Sequence, residues 1–197
     1  MKKNDLETKK QIIQITKSLI REYGDTSKVT VRDICNKANV GVGLVNYHFQ
    51  TKENLIKACV QEIVGNVISG FDALEESLKL EPLEKIKHLL KLNMKFLVVN
   101  PGISKVSILS DLVTGGAHDN SLQTRDAYMR LLKKIYGQRK TEDEIKVILH
   151  AVISALQFAF LRMDIIKMTD GIDFHSEEQR DTFMSTLAER VFYDLKQ

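Results

Sequence analysis

Residues 30–59, TVRDICNKANVGVGLVNYHFQTKENLIKAC, spell two short helices joined by a tight turn and followed at once by a third. Thr30 is placed as an N-cap, since its hydroxyl can accept one of the backbone N–H groups left unpaired in an opening turn. Val31, Ile34, Cys35 and Ala38 then make an inward stripe at spacings of three and four, with Arg32, Asp33, Asn36 and Lys37 on the other side. Asn39 suits the left-handed conformation that a sharp turn between crossing helices requires, and Val40 behind it plugs the angle between them. The second helix, about Val42 to His48, has Gly41 and Gly43 near its start, where a missing side chain lets backbone approach a duplex and leaves N–H groups for phosphate. Val45 and Phe49 point inward. Val42, Leu44, Asn46, Tyr47 and His48 are left to face outward, an exterior too apolar for so short a helix unless double-stranded DNA covers it.

Charge supports that partner by its distribution. The formal net charge is only +3, yet residues 1–59 hold 11 Lys and Arg against 6 Asp and Glu, leaving 18 against 20 for the remainder. Lys28, Arg32, Lys37 and Lys52 flank the helix-turn-helix and are candidates for the phosphate backbone. Phosphate contacts are expected from Thr30, Arg32, Tyr47, His48 and Lys52, and base contacts from Val42, Leu44, Asn46 and Tyr47, with Gly43 among the DNA-binding residues through its backbone. An asparagine on a recognition helix can pair with adenine N6 and N7, which is worth roughly 1–3 kcal/mol of discrimination.

Gly24, Thr30, Ile34, Ala38, Val40, Gly43, Val45, His48, Phe49, Lys52, Glu53 and Leu55, with Ile12, Ile13, Thr16, Leu19 and Ile20 before them, resemble the N-terminal signature of the tetracycline-repressor (TetR/AcrR) family over about the first sixty residues. The resemblance implies an all-α fold. It would comprise an N-terminal three-helix DNA-binding domain, residues 1–52, and a larger helical effector-binding and dimerisation domain, residues 53–197. It also implies a homodimeric transcription regulator, usually a repressor, that binds an inverted-repeat operator and responds to a small molecule. Three positions depart from the family's pattern. Asn39 stands where glycine is usual, Gly41 where a serine cap is common, and Asn46 where a phosphate-contacting tyrosine is common, with Tyr47 beside it.

The rest of the chain repeats apolar residues in helical spacing and nowhere alternates as a strand does. Ile56, Val60, Ile63, Val67, Phe71, Leu74 and Leu78 predict one long helix from Lys52 onward; Pro82 opens another that stops at Asn100-Pro101-Gly102. Further apolar segments run from Ile103 to Val113 and from Leu122 to Tyr136. Thr141 with Glu144 and Ser176 with Gln179 read as capping boxes, the first opening a helix to about Lys167 and the second a helix to the C-terminus. Val147–Leu161 is apolar nearly all round, so its helix needs cover on several sides, and a second subunit supplies the excess. Ala151, Ser154, Ala155 and Ala159, facing Met184, Leu187, Ala188, Val191 and Leu195, are the expected dimer interface. Met94, Phe96, Leu109, Leu112, Tyr128, Leu131, Phe158 and Met163 are the expected walls of an effector pocket, apolar with one hydroxyl.

Other function classes find little to stand on. The histidines are scattered without metal-ligand spacing, no nucleophile elbow or phosphate-cradling glycine loop appears, and Asp119 of His118-Asp119 reads as a helix cap. No enzyme, metal or cofactor is expected. Cys35 and Cys59 lie on apolar faces and read as buried, reduced thiols. No apolar run of about eighteen residues and no signal peptide are evident, which predicts a cytoplasmic protein without a membrane partner. The alternative function is a helical adaptor that keeps the fold and binds another protein instead of DNA.

Overall fold

A computed structural model describes residues 3–116 and 119–195, and these form eleven α-helices with no strand among them. The chain divides into two compact units. The first runs through Asn66 and takes in Asn100–Gly116; the second comprises Val67–Val99 and the chain beyond Gly116. The first unit therefore continues past residue 52, because Leu55, Ile56, Cys59, Val60 and Ile63 share one core with the N-terminal helices.

In the first unit, α1 (Lys3–Tyr23) buries Ile12, Ile13, Thr16, Leu19 and Ile20 along one face. It ends at Gly24, whose φ of +63° is one that side-chain-bearing residues adopt at a cost. A single 3₁₀ turn, Thr26–Lys28, follows, with Asp25 Oδ1 accepting from the backbone N–H of Ser27 at 2.9 Å. Next come α2 (Val31–Ala38), α3 (Val42–Phe49) and α4 (Lys52–Ser69). Ile34, Val45, Phe49 and Leu55 close over Ile12 and Ile20, and each aliphatic side chain so buried contributes about 1.5–3 kcal/mol. The unit is completed by α7 (Pro101–Thr114), which sends Ile103 into the same core. Its backbone lies close to the 3₁₀ turn: a Cβ at Gly102 would sit 3.4 Å from the Thr26 nitrogen.

In the second unit, α5 (Phe71–Ser77) packs on α8 (Asn120–Tyr136), α6 (Pro82–Val99) on α9 (Glu142–Leu161) and α11 (Glu177–Val191), and α8 on α9. Ile86, Leu90, Met94, Leu131, Leu132, Phe160, Phe174 and Phe192 are fully enclosed. Between α9 and α11 lies α10 (Met163–Asp170). Glu75 is buried between two lysines, accepting from Lys85 at 3.0 Å and from Lys134 at 3.0 Å, so α5 is tied to both α6 and α8. Burial raises its carboxyl pKa, but the two ammonium groups outweigh that and hold it below the ordinary value.

Several element boundaries differ from those the pattern predicts. The long helix beginning at Lys52 stops at Ser69, where Gly70 donates to Val67 O in a tight i to i−3 turn and then starts α5. The helix opened by Thr141 bends at Arg162 (φ −111°, ψ 11°), so α10 is separate. Thr141 and Glu144 do close a capping box. Gln179 does not: Ser176 caps α11, while the Gln179 side chain accepts from the Asp173 N–H at 2.7 Å. Asp119 caps α8 through the Leu122 N–H; His118 lies outside the described residues. By length and composition α9 is apolar enough to cross a bilayer, a criterion that the run Val147–Leu161 alone does not meet. It packs against α6, α8 and α11.

Candidate nucleic-acid interface

The turn between α2 and α3 is built by its own residues. Thr30 accepts from the Asp33 N–H at 3.1 Å while Asp33 Oδ2 accepts from the Thr30 N–H at 3.1 Å, a capping box that fixes where α2 begins. Asn39 adopts φ 51°, ψ 49°, the left-handed conformation, and the Val40 N–H returns to Cys35 O at 3.1 Å. Gln11 on α1 donates to Ala38 O at 3.0 Å and satisfies a terminal carbonyl of α2. At the other end of α3, Gln50 takes φ 64°, a strained value that the sequence does not announce.

With α3 anchored through Val45 and Phe49, its remaining residues form an open face. Val42, Gly43, Leu44, Asn46 and Tyr47 are all exposed, Tyr47 at 71%. No side chain caps α3 at Gly41, so its first N–H groups are free of a cap. A Cβ placed at Gly41 or Gly43 would meet nothing within 4 Å, so internal packing does not require either glycine. Arg32 on α2 is exposed and has no ion-pair partner among the described residues, whereas Lys37 pairs with Glu22 at 2.7 Å. The Lys52 amine donates to Ser27 O at 3.3 Å, and the Thr30 hydroxyl donates to Asp33 Oδ2 at 2.6 Å, so both are partly committed to the domain itself.

His48 does not share the outward face. Its side chain is only 4% exposed, with Nε2 3.5 Å from Asp5 Oδ1 on α1. The reason is helical spacing: residues 45, 48 and 49 stand three and four apart, so His48 falls beside the Val45–Phe49 stripe rather than with Tyr47. The imidazole expected from the sequence to contact phosphate thus lies turned toward Asp5 of α1 and away from the open face. Nothing in the sequence around Asp5 marks it as the partner, because the pairing depends on how α1 lies against α3.

Cys35 and Cys59 are free and buried. Desolvation, aided by the Glu62 carboxylate, pushes the Cys59 thiol up to about 12.

The other candidate residues are dispersed. Of the expected pocket walls, Met94, Tyr128, Leu131 and Met163 are buried in the second unit and Phe96 is half-buried there, while Phe158 is exposed. Leu109 and Leu112 belong to the first unit, exposed on α7. Tyr128 packs its ring against Phe71 at 4.8 Å, and burial pushes its phenol well above the usual range, with the Asn93 side chain opposing the shift. Of the expected interface residues, Ala159, Met184 and Ala188 are enclosed in their own subunit, since α9 and α11 pack on each other and on α6. Ala155, Leu187, Val191 and Leu195 are half-buried. Ala151 and Ser154 are exposed and lie in line with Val147 at 70% and Phe158 at 63%. Positions 147, 151, 154 and 158 make one outward stripe on α9, apolar but for the Ser154 hydroxyl.

Residues 12–59 match the family of bacterial regulatory proteins, tetR family. No curated protein matches the sequence. Solved structures similar to the chain include RolR (NCGL1110) in complex with resorcinol, at 16% identity and a TM-score of 0.62 over 96% of this chain and 89% of that one. A TetR transcriptional regulator from Rhodococcus sp. RHA1 is 13% identical with a TM-score of 0.62, covering 95% and 97% of the two chains. FadR from Bacillus subtilis in complex with stearoyl-CoA is 15% identical with a TM-score of 0.57, covering 92% and 96%. At these identities the likeness is one of fold.

Proposed function

We propose that the chain is a regulator of the TetR type, whose family its residues 12–59 match, and that it acts as a homodimeric repressor released from an inverted-repeat operator by a small molecule. DNA binding is assigned to residues 1–52, and effector binding and dimerisation to residues 53–197. The observation that carries the proposal is the open face of α3, where Val42, Leu44, Asn46 and Tyr47 stand exposed behind a glycine-lined helix start. Those four are the base-reading candidates; the α3 N-terminus, Arg32, Lys52 and the edge of Tyr47 serve the phosphates.

One recognition helix touches few base pairs. Two related by symmetry read both halves of a palindrome, which is why dimerisation belongs to the function. The outward stripe Val147, Ala151, Ser154 and Phe158 on α9 is the surface proposed to meet its copy, isologously across a two-fold axis. For the effector, the candidates in the second unit are Met94, Leu131 and Met163 with Tyr128, all buried there and together apolar with one hydroxyl. RolR is seen with resorcinol and FadR with stearoyl-CoA, which supports a small-molecule effector here without indicating its identity. An effector that prefers the dimer geometry with wrongly spaced α3 helices lowers operator affinity by its differential affinity for the two states. A cytoplasmic location accords with the proposed action on DNA.

Selection of bound fragments from random duplex DNA tests the proposal. It predicts recovery of an inverted repeat, and recovery of no duplex at all would favour a protein-binding adaptor.

A further inference from the structure

We propose that His48 is a positioning residue, whose buried imidazole, held by Asp5 of α1, sets the seating of α3 and the direction of Tyr47; this rests on the DNA-binding role proposed above. The imidazole is enclosed, and Nε2 has no hydrogen-bond partner among the described residues. The carboxylate of Asp5, itself 22% exposed, stands 3.5 Å away. That separation is longer than an ordinary N–H···O hydrogen bond but within ion-pair reach, and a buried N–H with one anion near it is far better placed than one with none. Burial also means that this nitrogen cannot reach a phosphate without first leaving its site, and the Asp5 charge would repel the phosphate if it did.

The ring connects this internal anchor to the outward face. It meets the Tyr47 ring edge-on, with centroids 5.1 Å apart and planes at 72°, and lies 6.1 Å from the Phe49 ring. Phe49 is part of the first unit's core, and the Lys9 ammonium of α1 sits 5.6 Å from its centroid. So two consecutive side chains of α3, His48 and Phe49, are gripped by Asp5 and Lys9 of one α1 face, one turn apart. Tyr47, exposed, meets the first of them edge-on. Loosening His48 should let α3 rock and Tyr47 turn, which harms the recognition of a sequence more than attraction to DNA in general.

The test uses the full chain and a duplex that the wild-type protein selects from random fragments, with a scrambled duplex as the non-specific reference. Asp5→Asn, at a partly exposed site, should fold normally and bind the selected duplex about fivefold or more weakly, while the scrambled duplex binds as well or better because a negative charge has gone. His48→Ala should lower the ratio of selected to scrambled affinity similarly, the double variant should add little, and His48→Gln, which keeps an N–H donor, should recover most of the loss. The salt dependence should stay at the wild-type slope. The proposal is overturned if Asp5→Asn binds the selected duplex as tightly as wild type or tighter, or if His48→Ala flattens the slope by about one, the signature of a lost phosphate contact. A wild-type protein that selects no duplex overturns the DNA-binding role itself, and this proposal with it.

Discussion

Tyr47 and His48 are neighbours in sequence with contrasting environments: Tyr47 is 71% exposed, while the His48 side chain is enclosed. A helix turns about 100° per residue, so one step along α3 is enough to cross from its exposed side to the side turned toward α1. Tyr47→Ala removes an exposed ring and no core contact. Operator affinity should therefore fall about tenfold or more, as for the loss of one good contact, with the thermal midpoint unchanged when measured on the free protein. Asn46→Ala should relax the preference at one base pair in each half-site, seen as a broadened position in the selected fragments. At this scale the sequence shows much of the site. The stripe Val31, Ile34, Cys35, Ala38 and the turn at Asn39 follow from spacing and backbone preference, and the structure has them so. The placement of His48 does not, because its inward contact needs Asp5, far off in sequence, and because Val45 and Phe49 alone give the helix a narrower inner face than it has.

Helices are legible as apolar runs, but their ends and junctions are set by contacts that a run does not encode. Gly70 interrupts a pattern that otherwise continues to Leu78, since glycine is a poor helix residue and the chain can turn there through its Val67 hydrogen bond. Gln179 looks like the partner of Ser176 but satisfies Asp173 instead. The seat of α7 was equally hidden: Gly102 reads as a helix-breaking loop residue, while in the fold it allows close approach to the 3₁₀ turn. Gly102→Val puts a branched side chain against the Asp25 and Thr26 backbone, and overpacking of that kind should lower stability by about 1–3 kcal/mol, read as a lower unfolding midpoint. For α5 the controlling contact is Glu75. Its folded-state pKa is depressed, so its contribution is fully present above the unfolded carboxylate value and is lost as pH falls through the folded one. Acid titration of wild type against Glu75→Gln should show the two stabilities converging below that depressed value; parallel curves throughout would remove Glu75 from the account.

At the scale of the whole molecule, the proposed dimer depends on a surface that the single chain leaves open. Sequence alone shows that Val147–Leu161 has too little polar face for a lone helix, and packing shows which side remains: Val147, Ala151, Ser154 and Phe158 face out, whereas Ala159, Met184 and Ala188 are used inside. An all-round apolar pattern cannot say which residues a subunit keeps for its own core. Phe158→Glu places a charge in the proposed interface without disturbing the core, so the chain should stay helical, become monomeric by sedimentation, and lose most of its operator affinity with the second half-site contact. The measurement that tests the central claim most directly is the mass of the complex formed on a duplex selected from random DNA. Two chains, or a multiple of two, on each inverted repeat is the predicted result; a single chain per duplex, or no complex at any salt concentration, would contradict it.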